Sequence, residues 1–417
     1  MEKKEIGDKE KRIRSLTRMY YSNPRVQKAI LDFAANREVV PRYFEGFGKR
    51  PDILQYPSDI EGFVRRGATS FHASEEIWTD PLQLSSDSTF KDLENLRKSW
   101  DLLIDIDSPF LDCSKIATRL IIEALENQGV KNWGLKFSGS KGFHIIVSGK
   151  AFPKEFNGEE MRKMFPIWPR AICGYLNNLI KPAYNREVAQ MGIDFEALET
   201  RTKLKREDVE EAICPDCGLP GKKGKITRFI CDTCGTSIER KDVKVIKRRL
   251  KCLKSGCAGI LQVVDEKDYF VCEHCGKTSW NKLEGFGERG RVVRSGGEEN
   301  VGEFEQGISG EKIANMDLVL VAPRHLFRMP YSLHEKTALA SVVLRKQELE
   351  NFSPKDADPF KIEIREFMPL PKPEEAKQLL ARALEWYRAK EIREKEIEDK
   401  KFDKYKKENF EKVDLKG

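Results

Sequence analysis

The sequence predicts an α+β protein interrupted by a metal-stapled block, and three observations carry that prediction. Residues 101–149 alternate strand, helix and hairpin signals; eight of the ten cysteines lie in pairs between Cys214 and Cys275; and the tail turns into a run of Lys and Glu. Hydrophobic residues at 39% of 417 are enough for a real core, and charged residues at 34% imply a heavily solvated surface. A net charge of +7 permits a nucleic-acid partner without requiring one. The start, "MEKKEIGDKEKRIRSL", has no apolar signal core and no stretch is apolar enough to span a bilayer, so the expectation is a soluble, cytoplasmic, nucleoid-associated protein without a membrane partner.

Taken in order, residues 1 to about 80 read as helices and loops rich in Arg and aromatics, with Asp59 as a helix cap before "IEGFVRRG". "DLLIDIDSPF" reads as a strand in which Leu102, Ile104 and Ile106 face one way, and Asp101, Leu103, Asp105 and Asp107 the other. Carboxylates on a half-buried face repel one another and lose hydration, so that face is open to water or holds something positive. A helix follows, with Ile116, Leu120 and Ala124 at helical spacing and Gly129 as its stop. "WGLKFSGSKGFHIIVSG" is two short strands joined by a Gly-Ser turn, a hairpin. The next helical stretch is interrupted by Pro166 and Pro169, and residues 285–310 read as a Gly- and Glu-rich loop. In the tail, Leu380, Leu384 and Tyr387 share one helical face.

The cysteine spacing is the strongest single signal. Cys214-x2-Cys217 is followed by Cys231-x2-Cys234, and Cys252-x4-Cys257 by Cys272-x2-Cys275. Each consecutive set of four thiolates can close a tetrahedral Zn2+ site across a short hairpin, giving two structural zincs in a zinc-ribbon block. Closed four-thiolate sites hold small units that lack a core, so catalysis is not placed here. His274 reads as a bystander, His72 as a packing or capping residue, Cys113 and Cys173 as buried thiols, and Trp133, Trp168 and Trp386 as core or interface.

A lone D-x-D is weak, but it has company. "SGSKGFH" places Ser138, Lys141 and His144 around a tight turn whose N–H groups suit an oligophosphate. "MDLVLVAPRHLFRMPYSLHEKT" adds Asp317, Arg324, Arg328, His334 and Lys336. Acids for metals and dispersed Lys, Arg and His for phosphate are the inventory of metal-assisted phosphoryl or nucleotidyl transfer.

In that order, these three stretches resemble the motifs of the archaeo-eukaryotic primase superfamily, above all the archaeal catalytic (small) primase subunit and the primase-polymerases, over about residues 35–350. The resemblance implies a primase-type core around an RRM-like mixed sheet. It divides the chain into core residues 1–213, a zinc block at 214–280, the rest of the core at 281–350 and a helical charged tail at 351–417. It implies that Asp105, Asp107 and Asp317 ligate Mg2+ or Mn2+, and that Ser138, Lys141, His144, His334 and Lys336, supported by Arg328, contact a nucleoside triphosphate. Where small subunits carry an acid nearer the Arg-rich block this chain has Val321 and Ala322, whereas Asp317 keeps the primase-polymerase spacing. The doubled cysteine block also exceeds a standard small subunit. The implied activity is template-directed nucleotidyl transfer by two-metal-ion catalysis. Its partners would be a single-stranded DNA template or primer-template, nucleoside triphosphates and a large primase subunit. The alternatives are a catalytically silent nucleic-acid-binding or regulatory subunit, and a metal nuclease, which has no use for the K-G-x-H and H-x-K cluster.

Overall fold

In the computed structural model, which describes residues 7–192, 194–243, 250–280, 300–313 and 321–413, the chain follows the expected mixture of helix and strand. The first unit, Met1–Ile180 with Met316–Gly417, begins with helices α1 (Asp8–Tyr21) and α2 (Pro24–Ala34), strand β1 (Val39–Arg42), helix α3 (Pro57–Arg65), and strands β2 (Ser70–Ser74) and β3 (Glu76–Trp78). Helix α4 (Phe90–Leu96) leads to β4 (Arg97–Trp100), β5 (Leu102–Ile106), helix α5 (Leu111–Asn127), β6 (Gly134–Phe137) and β7 (Phe143–Val147). The short strands β8 (Glu155–Phe156) and β9 (Glu159–Glu160) precede helix α6 (Ile167–Gln190). The second unit, Lys181–Asn315, holds α7 (Phe195–Thr202), α8 (Arg206–Val209), β10 (Glu210–Ile213), β11 (Lys222–Cys231), β12 (Ser237–Lys241), β13 (Leu250–Lys251), β14 (Ile260–Val271), β15 (Glu305–Ile308) and α9 (Gly310–Ile313). Back in the first unit come β16 (Leu326–Arg328), β17 (Val343–Leu344) and α10 (Lys377–Val413). The second unit is thus wider than the cysteine block itself.

In the first unit, one sheet has the order β17-β6-β7-β5 and another β1-β2-β16. Strands β5 and β6 run the same way, and β7, antiparallel to both, lies between them. With helix α5 connecting β5 to β6, this is a split β-α-β unit. Every strand ladder among the described residues is antiparallel, where the resemblance implies a mixed sheet. The inserted β7 separates the two parallel neighbours. Helix α5 buries Cys113, Ala117, Ile121 and Leu125, and Gly129, at φ 91°, reverses the chain after it.

Strand β5 does not divide into an apolar and an acidic face. Leu102, Leu103, Ile104 and Ile106 are all buried, so each acid near it is accommodated separately. Asp101 is removed from the acidic set: one carboxylate oxygen accepts the Gly149 N–H at 2.7 Å and the other pairs with the Arg37 guanidinium, both side chains buried. Arg37 also donates to the Ser74 carbonyl at 2.8 Å. A buried pair with its remaining donors satisfied holds local geometry, whereas loss of one partner would cost about 3–5 kcal/mol.

Three local expectations are corrected. Helix α3 starts two residues before Asp59, which sits in its first turn and accepts the N–H groups of Gln55 at 2.9 Å and Tyr56 at 2.8 Å. Pro166 precedes α6 and Pro169 lies in its first turn, where a missing N–H breaks no helical bond, so neither interrupts it. Of the loop expected at 285–310, residues 285–299 lie outside the described residues, and Glu305–Ile308 is strand β15, paired with β10.

Candidate active site

The acid pair is built by the end of β5. Asp105 is its fourth residue, 39% exposed at the side chain, and Asp107 is exposed just beyond it. The register places His144 of β7 directly across from Asp105, with His144 Nε2 3.2 Å from Asp105 Oδ1. Burial pushes the Asp105 carboxyl up, but the contact with His144, with Lys136 and His325 adding charge, brings it below the ordinary carboxylate value. Asp107 goes the other way. Burial and the neighbouring Asp105 charge raise it, against the Ser108 N–H, which donates at 3.0 Å, and Lys141. Such mutual repulsion is what a divalent cation would relieve, and exposed carboxylate oxygens are donors suited to Mg2+ or Mn2+.

Two glycines bring the motifs together. A Cβ on Gly142 would lie 2.5 Å from the Ile106 carbonyl oxygen and 3.2 Å from an Asp107 carboxylate oxygen, so the "SGSKG" turn lies against the end of the D-x-D strand. A Cβ on Gly139, at φ 99°, would lie 2.9 Å from the Cβ of His334. Thr337 Oγ1 closes the second junction by donating to the Gly139 carbonyl at 2.8 Å. Within the turn, Ser138 N donates to the Gly142 carbonyl at 2.9 Å and Ser138 Oγ accepts from Gly142 N at 3.2 Å, which orders the loop and leaves Lys141 exposed.

His334 Nδ1 accepts the backbone N–H groups of Lys336 at 3.2 Å and Thr337 at 3.3 Å, so the neutral ring carries its proton on Nε2. Burial and the Arg328 charge push it down to about 4, which keeps it neutral. Lys336 is exposed. Arg328 is buried and committed to its own loop, donating to the Leu333 carbonyl at 2.7 Å and to Glu335 at 2.7 Å. Its guanidinium therefore acts as a strut beneath the H-x-K turn. Asp317 lies outside the described residues. His72 is buried in β2 across from Arg328 and packs edge-on to Phe47, as a packing residue should.

Lys136 escaped the sequence reading. It is fully buried in β6, with Nζ 2.8 Å from His144 Nδ1 and 2.8 Å from Ser341 Oγ. The hairpin register was the available signal: pairing Phe137 with Phe143 across the turn puts Lys136 opposite His144. Glu75 was missed as well. It is buried, and one oxygen lies 3.3 Å from His325 Nδ1 while the other has no partner among the described residues. Burial pushes Glu75 up to about 7, against His325, and the Glu75 contact raises His325 in turn. Both groups then bind protons more readily folded than unfolded. Stability should fall as pH rises from the ordinary Glu value of 4.5 to about 7, by roughly 3 kcal/mol for Glu75. Urea titrations of wild type and Glu75→Gln across that window check this, with the variant expected to show the flatter profile.

In the second unit, the cysteines form two quartets, but not the sequential ones. Cys214, Cys217, Cys272 and Cys275 make one, and Cys231, Cys234, Cys252 and Cys257 the other. Antiparallel pairing of β11 with β14 matches Lys222 to Val271 and Cys231 to Leu261, so the first and last knuckles meet at one end of the ribbon and the middle two at the other. The Sγ–Sγ separations are 3.6 Å for Cys214–Cys275, 3.3 Å for Cys217–Cys272, 3.7 Å for Cys231–Cys257 and 3.6 Å for Cys234–Cys252. A tetrahedron with Zn–S of about 2.3 Å has edges of about 3.8 Å, so each quartet could hold a zinc. His274 belongs to neither quartet. Among the described residues these are the sole groups of three or more metal-ligating side chains.

No family model matches the chain. A 58-residue stretch is 43% identical to an uncharacterized protein of Methanocaldococcus jannaschii, and the match spans 13% of this chain and 13% of that protein. Among solved structures, the polymerase domain of ligase D from Mycobacterium tuberculosis in complex with DNA aligns over 89% of this chain and 88% of its own, at 11% identity and a TM-score of 0.35. At that score the likeness decides nothing about activity. No helix among the described residues is long and apolar enough to cross a membrane.

Proposed function

We propose that this protein is a template-directed nucleotidyltransferase of the DNA primase or primase-polymerase kind, forming phosphodiester bonds from nucleoside triphosphates. The observation that carries the reading is the convergence of three distant motifs: Gly142 lies against the Asp107 end of β5, and Gly139 against His334. Acids and a cationic, N–H-rich turn are thereby neighbours, as a metal-bound triphosphate requires.

In this reading Asp105 and Asp107 hold a divalent ion, with Asp317 as a further ligand. The ion supplies charge neutralisation and Lewis acidity to the reacting phosphate. With its Nε2 3.2 Å from Asp105 Oδ1, His144 would orient that carboxylate by donating Nε2–H. Both of its nitrogens are engaged, so contact with a triphosphate would require exchange of the Asp105 contact. Lys141 and Lys336 are the exposed cations for the triphosphate, with Nε2–H of His334 as a neutral donor and Ser138 as the residue that shapes the turn. Arg328 supports the pocket through Glu335. No protein general base is assigned.

The test is incubation of the purified chain with single-stranded template, labelled ribo- and deoxyribonucleotides and Mg2+ or Mn2+, with and without a primer. Metal-dependent extension supports the reading and its complete absence overturns it. Lys336→Ala should raise KM for nucleotide about tenfold with turnover less affected, as expected for a contact made equally in ground and transition states. A fall in turnover alone would contradict that role.

A further inference from the structure

We propose that Lys136 is a positioning residue that sets the tautomer of His144 and so aims its Nε2–H at Asp105. The consequence for turnover rests on the nucleotidyl-transfer reading; the tautomer itself does not.

Asp105, His144 and Lys136 lie in one row across β5, β7 and β6. At the far end, Ser341 Oγ donates to the Phe137 carbonyl at 2.6 Å, so it accepts from Lys136 Nζ at 2.8 Å. Nζ also lies 2.8 Å from His144 Nδ1, and Nε2 lies 3.2 Å from Asp105 Oδ1. A neutral ring has one proton to place. On Nδ1 it would leave the Nε2 lone pair facing a carboxylate oxygen. On Nε2 it satisfies Asp105 and leaves Nδ1 to accept from Lys136. The row then runs as an unbroken sequence of donors, from Lys136 to His144 to Asp105 and from Lys136 to Ser341.

Fold stability alone gives little reason for a lysine here. Lys136 is fully buried, and no carboxylate is within ion-pair distance of it among the described residues. Beyond its two hydrogen bonds, the rings of Phe327 and Phe367 each lie 5.7 Å from Nζ. Burying an amine this way is costly, and a methionine of similar volume would fill the space without that cost. What the amine adds is a donor pointed at one nitrogen of one imidazole, the outer contact by which a histidine's tautomer and orientation are fixed.

The test is nitrogen NMR of the full chain labelled at its five histidines, with His144→Gln to assign the resonance. Wild type should show His144 protonated at Nε2 and bare at Nδ1, a result that needs no substitution at Lys136. Because the Asp105 carboxylate favours the same tautomer, the share of Lys136 is read without it: Asp105→Ala should keep Nε2–H on His144, and Asp105→Ala with Lys136→Met should lose the single tautomer. Lys136→Met alone should lower the incorporation rate about ten- to a hundredfold, with KM for nucleotide changing less than about threefold. A His144 protonated at Nδ1 in wild type, or the same tautomer in Asp105→Ala with and without Lys136→Met, overturns the proposal. Should wild type show the expected tautomer yet incorporate no nucleotide, the proposed function fails while the positioning of His144 by Lys136 stands.

Discussion

Asp107→Ala is expected to lower metal-dependent nucleotide incorporation about a thousandfold or more, roughly 4 kcal/mol of barrier, without destabilising the protein. The two outcomes separate because of where this carboxylate sits. Asp107 is exposed, its own contact is the adjacent Ser108 N–H, and burial together with the Asp105 charge already raises its carboxyl. Removing it relieves repulsion, so the urea midpoint should hold or rise slightly, as at sites whose strain serves function. Asp105→Ala should be equally inactive but less stable by about 1–3 kcal/mol, because it strands the buried Nε2–H of His144. Asp105→Asn, which keeps an acceptor for that N–H, should recover the stability and not the activity. Incorporation assays beside urea melts of the three variants decide the matter. Residual activity above about a tenth of wild type in Asp107→Ala would mean that these acids do not hold the ion.

The acid strand, the helix after it and the "SGSKG" hairpin were legible because each is local: a short run of Leu and Ile, helical spacing and a Gly-Ser turn specify them without a partner. Long-range contacts were not. Nothing near Asp101 announces that Arg37 neutralises it, so it was grouped with two acids whose surroundings differ. The resemblance placed Arg328 in support of the triphosphate pocket, and what it could not specify is the partner, Glu335, onto which the fold turns the guanidinium. Lys136 was hidden for the opposite reason, since a single lysine in an alternating strand normally faces water. Resolving the hairpin into explicit cross-strand pairs would have set it against His144, and β5 extends that row to Asp105.

The cysteine block makes the second large prediction, because nested and sequential pairing differ in how double substitutions combine. Wild type should bind two zincs per chain, and Cys217→Ser and Cys272→Ser should each bind one. The double variant Cys217→Ser with Cys272→Ser should still bind one, since both thiolates serve the same quartet. Cys217→Ser with Cys231→Ser should bind none. Sequential pairing reverses the two doubles, so zinc content by mass spectrometry of the native protein discriminates without reference to activity. The structural effect should be large because little else holds these ends. Leu219 and Phe304 are the apolar neighbours of the first quartet, and Phe229, Leu261, Ile238 and Leu250 are among those of the second. A four-thiolate zinc contributes about 10–16 kcal/mol of apparent free energy in small peptides, far more than such clusters can. Strand β11 spans 10 residues, roughly 30 Å at about 3.3 Å per residue, so the quartets clamp opposite ends of the ribbon. Loss of the Cys214 site should therefore expose amides near Cys214 and Cys272 to hydrogen exchange while those around Phe229 and Leu261 stay protected. Chelation of both zincs should release the whole ribbon.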